Sequence, residues 1–186
     1  MKTAFLFIPP ALAMLLVAAG CASTVASFYT LDMRASESAA ASGVALGRVS
    51  LSDGLSSGNL AVRTSPTEIE YYHAAQWAGN LSEQLHEKLA SELGAAHAEG
   101  DTTVADVTVF AFEQQDLSET EARAYTKMEV HFRHADMSRY DTPLHAATYE
   151  ETEPLEGLDA ASLAAALSRC VESTARRMAA DAAALP

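Results

Sequence analysis

Only two cysteines, Cys21 and Cys170, occur among the 186 residues, so the chain has material for at most one internal disulfide. Positive charge is scarce as well: 12 lysines and arginines face 25 aspartates and glutamates, giving a formal net charge of −13. That balance opposes binding to nucleic acid, which relies on Lys and Arg set against phosphate, and opposes a basic surface that seeks anionic lipid. Catalytic signatures are missing too. No G-x-S-x-G segment sets a serine on a strained strand-to-helix turn. There is no G-x-x-x-x-G-K loop to cradle phosphates and no G-x-G-x-x-G turn after a strand, and His86-Glu87 lacks the second histidine of a zinc-protease helix. The expectation is a protein that is not an enzyme and carries no cofactor.

What is present begins at the N-terminus. After Met1-Lys2, an apolar run from Ala4 to Val17 carries Phe5, Leu6, Phe7, Ile8, Leu12 and Leu15, and Ala18-Ala19-Gly20 precedes Cys21. A positive start, an apolar centre and a small-residue cleavage site are the parts of an export signal. Pro9-Pro10 and the shortness of the run oppose an uncleaved spanning helix. The arrangement resembles the signal of bacterial lipoproteins, with Ala18 where leucine is usual. That resemblance implies cleavage before Cys21 and lipidation of its thiol and new amine. Two or three acyl chains anchor stably, since each buried CH₂ contributes about 0.8 kcal/mol and a single chain holds only marginally. Ala22, rather than aspartate, follows the cysteine, which by the same resemblance implies the outer membrane.

The expected organisation is a signal peptide at 1–20, the lipidated cysteine and a short tether at 21–27, and one α+β domain at 28–186. Removal of the signal leaves 166 residues and a net charge of −14, enough chain for one hydrophobic core. Such acidity serves solubility, or attraction to a basic partner. With Cys21 acylated no disulfide remains. Cys170 falls on the apolar face of a helical pattern with Leu163, Leu167, Val171 and Met178, where a buried structural thiol is expected.

Along the chain, Phe28–Met33 reads as a short strand, Arg34–Gly43 as a loop, and Val44–Leu51 as a strand that Gly47 interrupts with a bulge. Leu60–Arg63 and Glu68–Tyr72 form a hairpin around Thr64-Ser65-Pro66-Thr67. Trp77, Leu81, Leu85, Leu89 and Leu93 recur every four residues, with Glu83, Gln84, Glu87, Lys88 and Glu92 between them, which predicts an amphipathic helix ending at Gly94 and starting either at an Asn80–Glu83 capping box or nearer Ala75. Three strands follow: one around Val107–Phe112 that is apolar on both faces, one around Met128–Phe132 that alternates, and Leu144–Tyr149. Asp159 then offers an N-cap to a long Ala-rich helix. The order strands, helix, strands, helix shows no parallel crossover ladder. It predicts a mostly antiparallel sheet with two main helices packed on it.

Candidate sites are few. His131, His134 and His145 are the sharpest metal hypothesis, but residues three apart on a strand point to opposite faces, and surface histidines are expected instead. Two acidic clusters, Glu113, Asp116, Glu119, Glu121 and Glu150, Glu151, Glu153, Glu156, lack EF-hand spacing and are expected to be solvated loops. Tyr71, Tyr72 and Trp77 join the hairpin to the first helix. They are the candidate partner interface, with a core hinge as the alternative.

Phe28-Tyr29-Thr30-Leu31-Asp32 soon after the cysteine, Leu60–Arg63, Glu68–Tyr72 and Gln76-Trp77-Ala78, in that order, resemble the ABC-type transport auxiliary lipoprotein family, which includes paraquat-inducible protein C. The chain departs from that family in having Ser56-Ser57-Gly58-Asn59 where members often place aspartate, arginine and proline. The resemblance implies a non-enzymatic accessory of lipid transport between two membranes. Its implied partners are an ABC permease and ATPase and a mammalian-cell-entry domain protein, with homo-oligomerisation open. The alternatives are a lipid- or ligand-binding periplasmic module, in which Phe110, Phe112 and Phe132 would enclose a cavity, and an outer-membrane assembly lipoprotein.

Overall fold

The computed structural model describes residues 25–37, 42–94 and 102–185; the signal segment and Cys21 lie outside them. The described elements run β1 (Ser27–Tyr29), β2 (Ala45–Leu51), β3 (Asn59–Ser65), β4 (Glu68–Trp77), α1 (Leu81–Leu93), β5 (Thr103–Asp116), β6 (Ala122–His134), β7 (His145–Pro154) and α2 (Ala160–Ala182). The two helices lie on one face of a seven-stranded sheet ordered β1-β4-β3-β5-β6-β7, with β2 also paired to β5.

The α+β class holds, but the sheet is mixed rather than mostly antiparallel. β3 with β4, β5 with β6 and β6 with β7 are antiparallel; β1 with β4, β2 with β5 and β3 with β5 are parallel. The parallel pairs escape a local reading because the crossover from β3 to β5 is composite: the hairpin partner β4 and then α1 carry the chain back.

β5 organises the sheet. One edge pairs with β6 over its full length, while the other is shared end to end. Ala45–Leu51 of β2 faces Val104–Val109, and Ala61–Arg63 of β3 faces Glu113–Gln115, both parallel to β5. Between them the chain leaves the sheet through a 3-10 turn at Asp53–Leu55. The expected irregularity at Gly47 is present, since the register of β2 shifts between Leu46 and Val49. A Cβ at Gly47 would stand 2.2 Å from Asp106 Oδ1, and that oxygen accepts the Arg48 N–H at 2.8 Å. Glycine is needed here for space rather than for an unusual φ.

The apparent double-sided apolarity of β5 is a phase change. The pairing slips between Val109 and Ala111, so Ala105, Val107 and Val109 and then Phe112 all face the helices, while Phe110 is expelled to solvent. The acidic residues read as loops are mostly strand: Glu113 is buried on β5, and Glu150, Glu151 and Glu153 lie on β7.

The first helix starts later than its leucine spacing suggests. Trp77 ends β4, Gly79 takes φ 91°, and the Asn80 side chain caps α1 by accepting the Ser82 N–H at 2.9 Å. α1 closes at the left-handed Gly94 as expected, and Asp159 caps α2 by accepting the Ser162 N–H at 2.8 Å. Cys170 is buried under α2, and burial, with help from Glu153 and Glu151, pushes its thiol up to about 12. It is therefore a packed, unreactive side chain.

Gln84, Lys88 and Glu92, expected on the polar side of α1, are buried. α1 lies between the sheet, α2 and the segment after β1, and so hides a second stripe. Lys88, with 0% of its surface exposed, donates at 2.8 Å to Glu92 on its own helix, to Glu172 on α2 and to the Arg34 carbonyl. The Ser36 N–H donates to Glu92 at 2.8 Å, the Leu31 N–H to Gln84 at 3.1 Å and the Asp32 N–H to Ser168 at 3.0 Å. The start of the stretch expected to be a loop or linker is thus held against α1 through Arg34 and Ser36. A buried charge is tolerated only when paired and hydrogen-bonded, and here three segments supply the partners.

Lys88→Met is expected to lower unfolding free energy by about 3–5 kcal/mol in urea titrations, because Glu92 would remain buried without its cation. Burial opposes ionisation of both groups, but their mutual hydrogen bonding prevails. Lys88 lies above its ordinary value of 10.5 and Glu92, also bonded by Ser36, below its ordinary 4.5. The Glu92 contribution is therefore complete above pH 4.5 and lost as pH falls through its depressed value; that of Lys88 is complete below pH 10.5 and lost above. The urea midpoint should be flat near neutrality and drop on the acid side, with a smaller acid-side drop in Lys88→Met.

Candidate functional site

The face of the sheet turned away from the helices is covered by no described element, and its side chains alternate with those of the core. β6 presents Arg123, Tyr125, Lys127, Glu129, His131 and Arg133 to it, β5 presents Asp106, Thr108, Glu113 and Gln115, and β7 presents Thr148 and Glu150. Opposite charges meet across strands. Arg63 Nη2 donates to the buried Glu113 at 3.0 Å, Lys127 to Glu150 at 2.8 Å and Arg133 to Asp106 at 2.8 Å. His131 contacts Glu129 at 2.9 Å along the same strand. Burial and the bonded Glu150 raise the Tyr125 phenol above its ordinary value, while Lys127 and Tyr125 hold Glu150 below its own. The result is a flat polar lattice, nearly neutral within itself although the chain is strongly acidic. A surface of this kind selects a partner by register more than by long-range attraction.

The lattice ends in a different way at each end of β5. Where β5 begins, a cleft of about 280 Å³ is bounded by Arg48, Asp106, His131, Arg133, Arg139 and Tyr140. Where β5 ends, a cleft of about 480 Å³ is lined by Leu117, Ala122, Pro154, Leu155 and Leu158. Both are open to solvent.

The three aromatic candidates do not form one surface. Trp77 is 4% exposed and meets Phe112 in a tilted contact, 5.6 Å from centroid to centroid, so it belongs to the core. Tyr72 is half-buried and its hydroxyl donates to Gln114 at 2.7 Å. Tyr71 alone remains on the open face, 40% exposed, opposite Ala61 on β3. Adjacent strand residues point to opposite faces, which separates Tyr71 from Tyr72 whatever their shared chemistry. Cys21 lies outside the described residues.

Of the histidines, His131 is bonded to Glu129 and His145 stacks on Phe132 at 6.0 Å. No three His, Cys, Asp or Glu side chains converge as metal ligands among the described residues. Phe112 and Phe132 are in the core while Phe110 is exposed, so these three rings do not enclose a common cavity. The buried Lys88 was the feature least visible in the sequence. Its only sign was the i, i+4 run Gln84, Lys88, Glu92 alongside the leucine stripe.

Trp77→Ala should cost about 3–5 kcal/mol of stability by thermal or urea unfolding. Tyr71→Ala should stay within about 0.5 kcal/mol of the parent, as surface substitutions do.

No match was found among curated protein sequences. The fold is similar to that of a Xanthomonas campestris protein solved by crystallography, with TM-score 0.66 and 19% identity over 82% of this chain and 92% of that one. A second crystal structure, of an uncharacterized protein, gives TM-score 0.64 and 15% identity over 84% of this chain and 98% of that one. At such identities the likeness is one of fold. The model of the ABC-type transport auxiliary lipoprotein component matches residues 29–179, nearly all of the described residues, and the chain belongs to that family.

Proposed function

We propose that the chain is a non-enzymatic subunit of an ABC-type lipid transport system linked to mammalian-cell-entry domain proteins, held by lipid on Cys21 at the outer membrane and facing the periplasm. Membership of an auxiliary transport family supports the accessory role. The uncovered polar face of the sheet is the observation that carries the docking function: it is built on the adjoining strands β5, β6 and β7. The Cys21 tether is short, with only six residues before Phe28, which keeps the body within about 20 Å of the bilayer. Among the described residues no helix is long and apolar enough to cross a membrane. Ala22 after the cysteine supports the outer membrane.

A lipid-carrying module is the second reading, and the separation of Phe110 from Phe112 and Phe132 counts against it.

Cys21→Ser is expected to abolish metabolic labelling with palmitate and to release the chain from the membrane fraction; retained labelling would refute the anchor. Cross-linked, affinity-tagged native chain should capture the mammalian-cell-entry protein and the permease. Adding Tyr71→Ala and Lys127→Gln on the open face should weaken capture at least about fivefold, in the range of 1 kcal/mol that an interface side chain contributes, with little change in melting temperature. Co-purifying phospholipid without those partners would favour the carrier instead.

A further inference from the structure

The register of the strands gathers four chain segments at the end of the sheet where β5 finishes. The β3–β4 hairpin turns there, because Ala61–Arg63 faces Glu113–Gln115 and Ser65 pairs with Glu68. The β5–β6 turn lies there, since Asp116 faces Ala122. β7 ends there opposite Arg123 and leads into α2. The chain ahead of β1 rises to the same end, because β1 is parallel to β4, and β4 runs away from the hairpin. Each of these four segments carries one large apolar side chain in solvent: Val25, Ile69, Leu117 and Leu158, between 43% and 84% exposed. Leu117 and Leu158 flank the larger cleft. Tyr140, beside Arg139, is exposed at the opposite end.

Scattered exposed hydrophobics need no explanation, but one on every segment crossing a single end of the molecule forms a rim. The chain itself indicates what lies against it. Val25 is four residues after Cys21, a reach of about 14 Å even when fully extended, and the segment leaves the sheet toward this rim. We propose that the rim of Val25, Ile69, Leu117 and Leu158 rests on the lipid surface in which the Cys21 acyl groups are embedded, fixing the sheet upright with the Arg48 and Arg139 cleft turned to the periplasm. This rests on the lipid anchoring proposed above. Glu68, Glu70, Glu119, Glu121 and Glu156 border the rim, so the surface it accepts is zwitterionic rather than anionic.

The test uses the native lipidated chain in phosphatidylethanolamine-rich vesicles. Ile69→Cys, Leu117→Cys, Leu158→Cys and, as a control, Tyr140→Cys each carry an environment-sensitive fluorophore. The buried Cys170 leaves the introduced thiol as the reactive one. Rim probes should shift to the blue and be quenched severalfold more by lipid-borne nitroxide than the Tyr140 probe, and the contrast should shrink when half the lipid is phosphatidylglycerol. Vesicle-bound chain whose rim probes stay aqueous would overturn the proposal, as would a shift that grows with protein concentration without vesicles, which would give the rim to a second copy. A blue shift that requires an added transport partner would overturn it equally. Chain that fails to float with vesicles at all would instead refute the anchor. All four sites are exposed, so unchanged melting temperatures should accompany the variants.

Discussion

The constraint on which the fold depends is that a fourteen-residue central strand must find partners for its backbone on both edges. β6 meets that need on one side with a single run. On the other side no single strand is long enough, and β2 and β3 divide the edge between them. The consequences spread outward. The chain must leave the sheet between β2 and β3, β3 must return as the hairpin with β4, and α1 must carry the chain back to the start of β5. The two parallel pairings on this edge follow from that path, and the other face stays uncovered because α1 and the C-terminal α2 pack on the same side of the sheet.

Two local adjustments make the shared edge possible. β2 bulges at Gly47 so that the Asp106 carboxylate can occupy the space of a side chain, where Arg48 and Arg133 bond it. β5 bulges at Phe110, next to the point where one partner strand ends and the other begins. Both change which face later residues meet. The bulge in β5 is why Glu113, rather than another apolar residue, sits on the polar face within reach of Arg63.

The helical layer is locked by charge rather than by apolar packing alone. Lys88 fastens α1 to α2 and to the segment that follows β1, so the chain leaving β1 is joined firmly to the helical layer. If Cys21 bears the anchor, force or orientation imposed there enters the sheet at β1, which pairs with β4. Membership of a transport-auxiliary family then has a physical counterpart: a rigid body with one polar face and two chemically different ends.

The amino-acid sequence by itself determined the α+β class, the two helices, the cap at Asp159, the stop at Gly94, the bulge at Gly47 and the buried Cys170. These depend on neighbours within a few residues, which periodicity and cap chemistry record directly. Only the tertiary structure decided the parallel pairings, the burial of Trp77 and the fate of Lys88, each of which depends on a segment tens of residues away. Trp77 faces inward because Phe112 waits across the sheet, and Lys88 stays charged in the interior because Glu172 and the Arg34 carbonyl come to meet it. The polar face and the apolar rim belong to the same class: their residues are unremarkable one by one, and strand register alone brings them together.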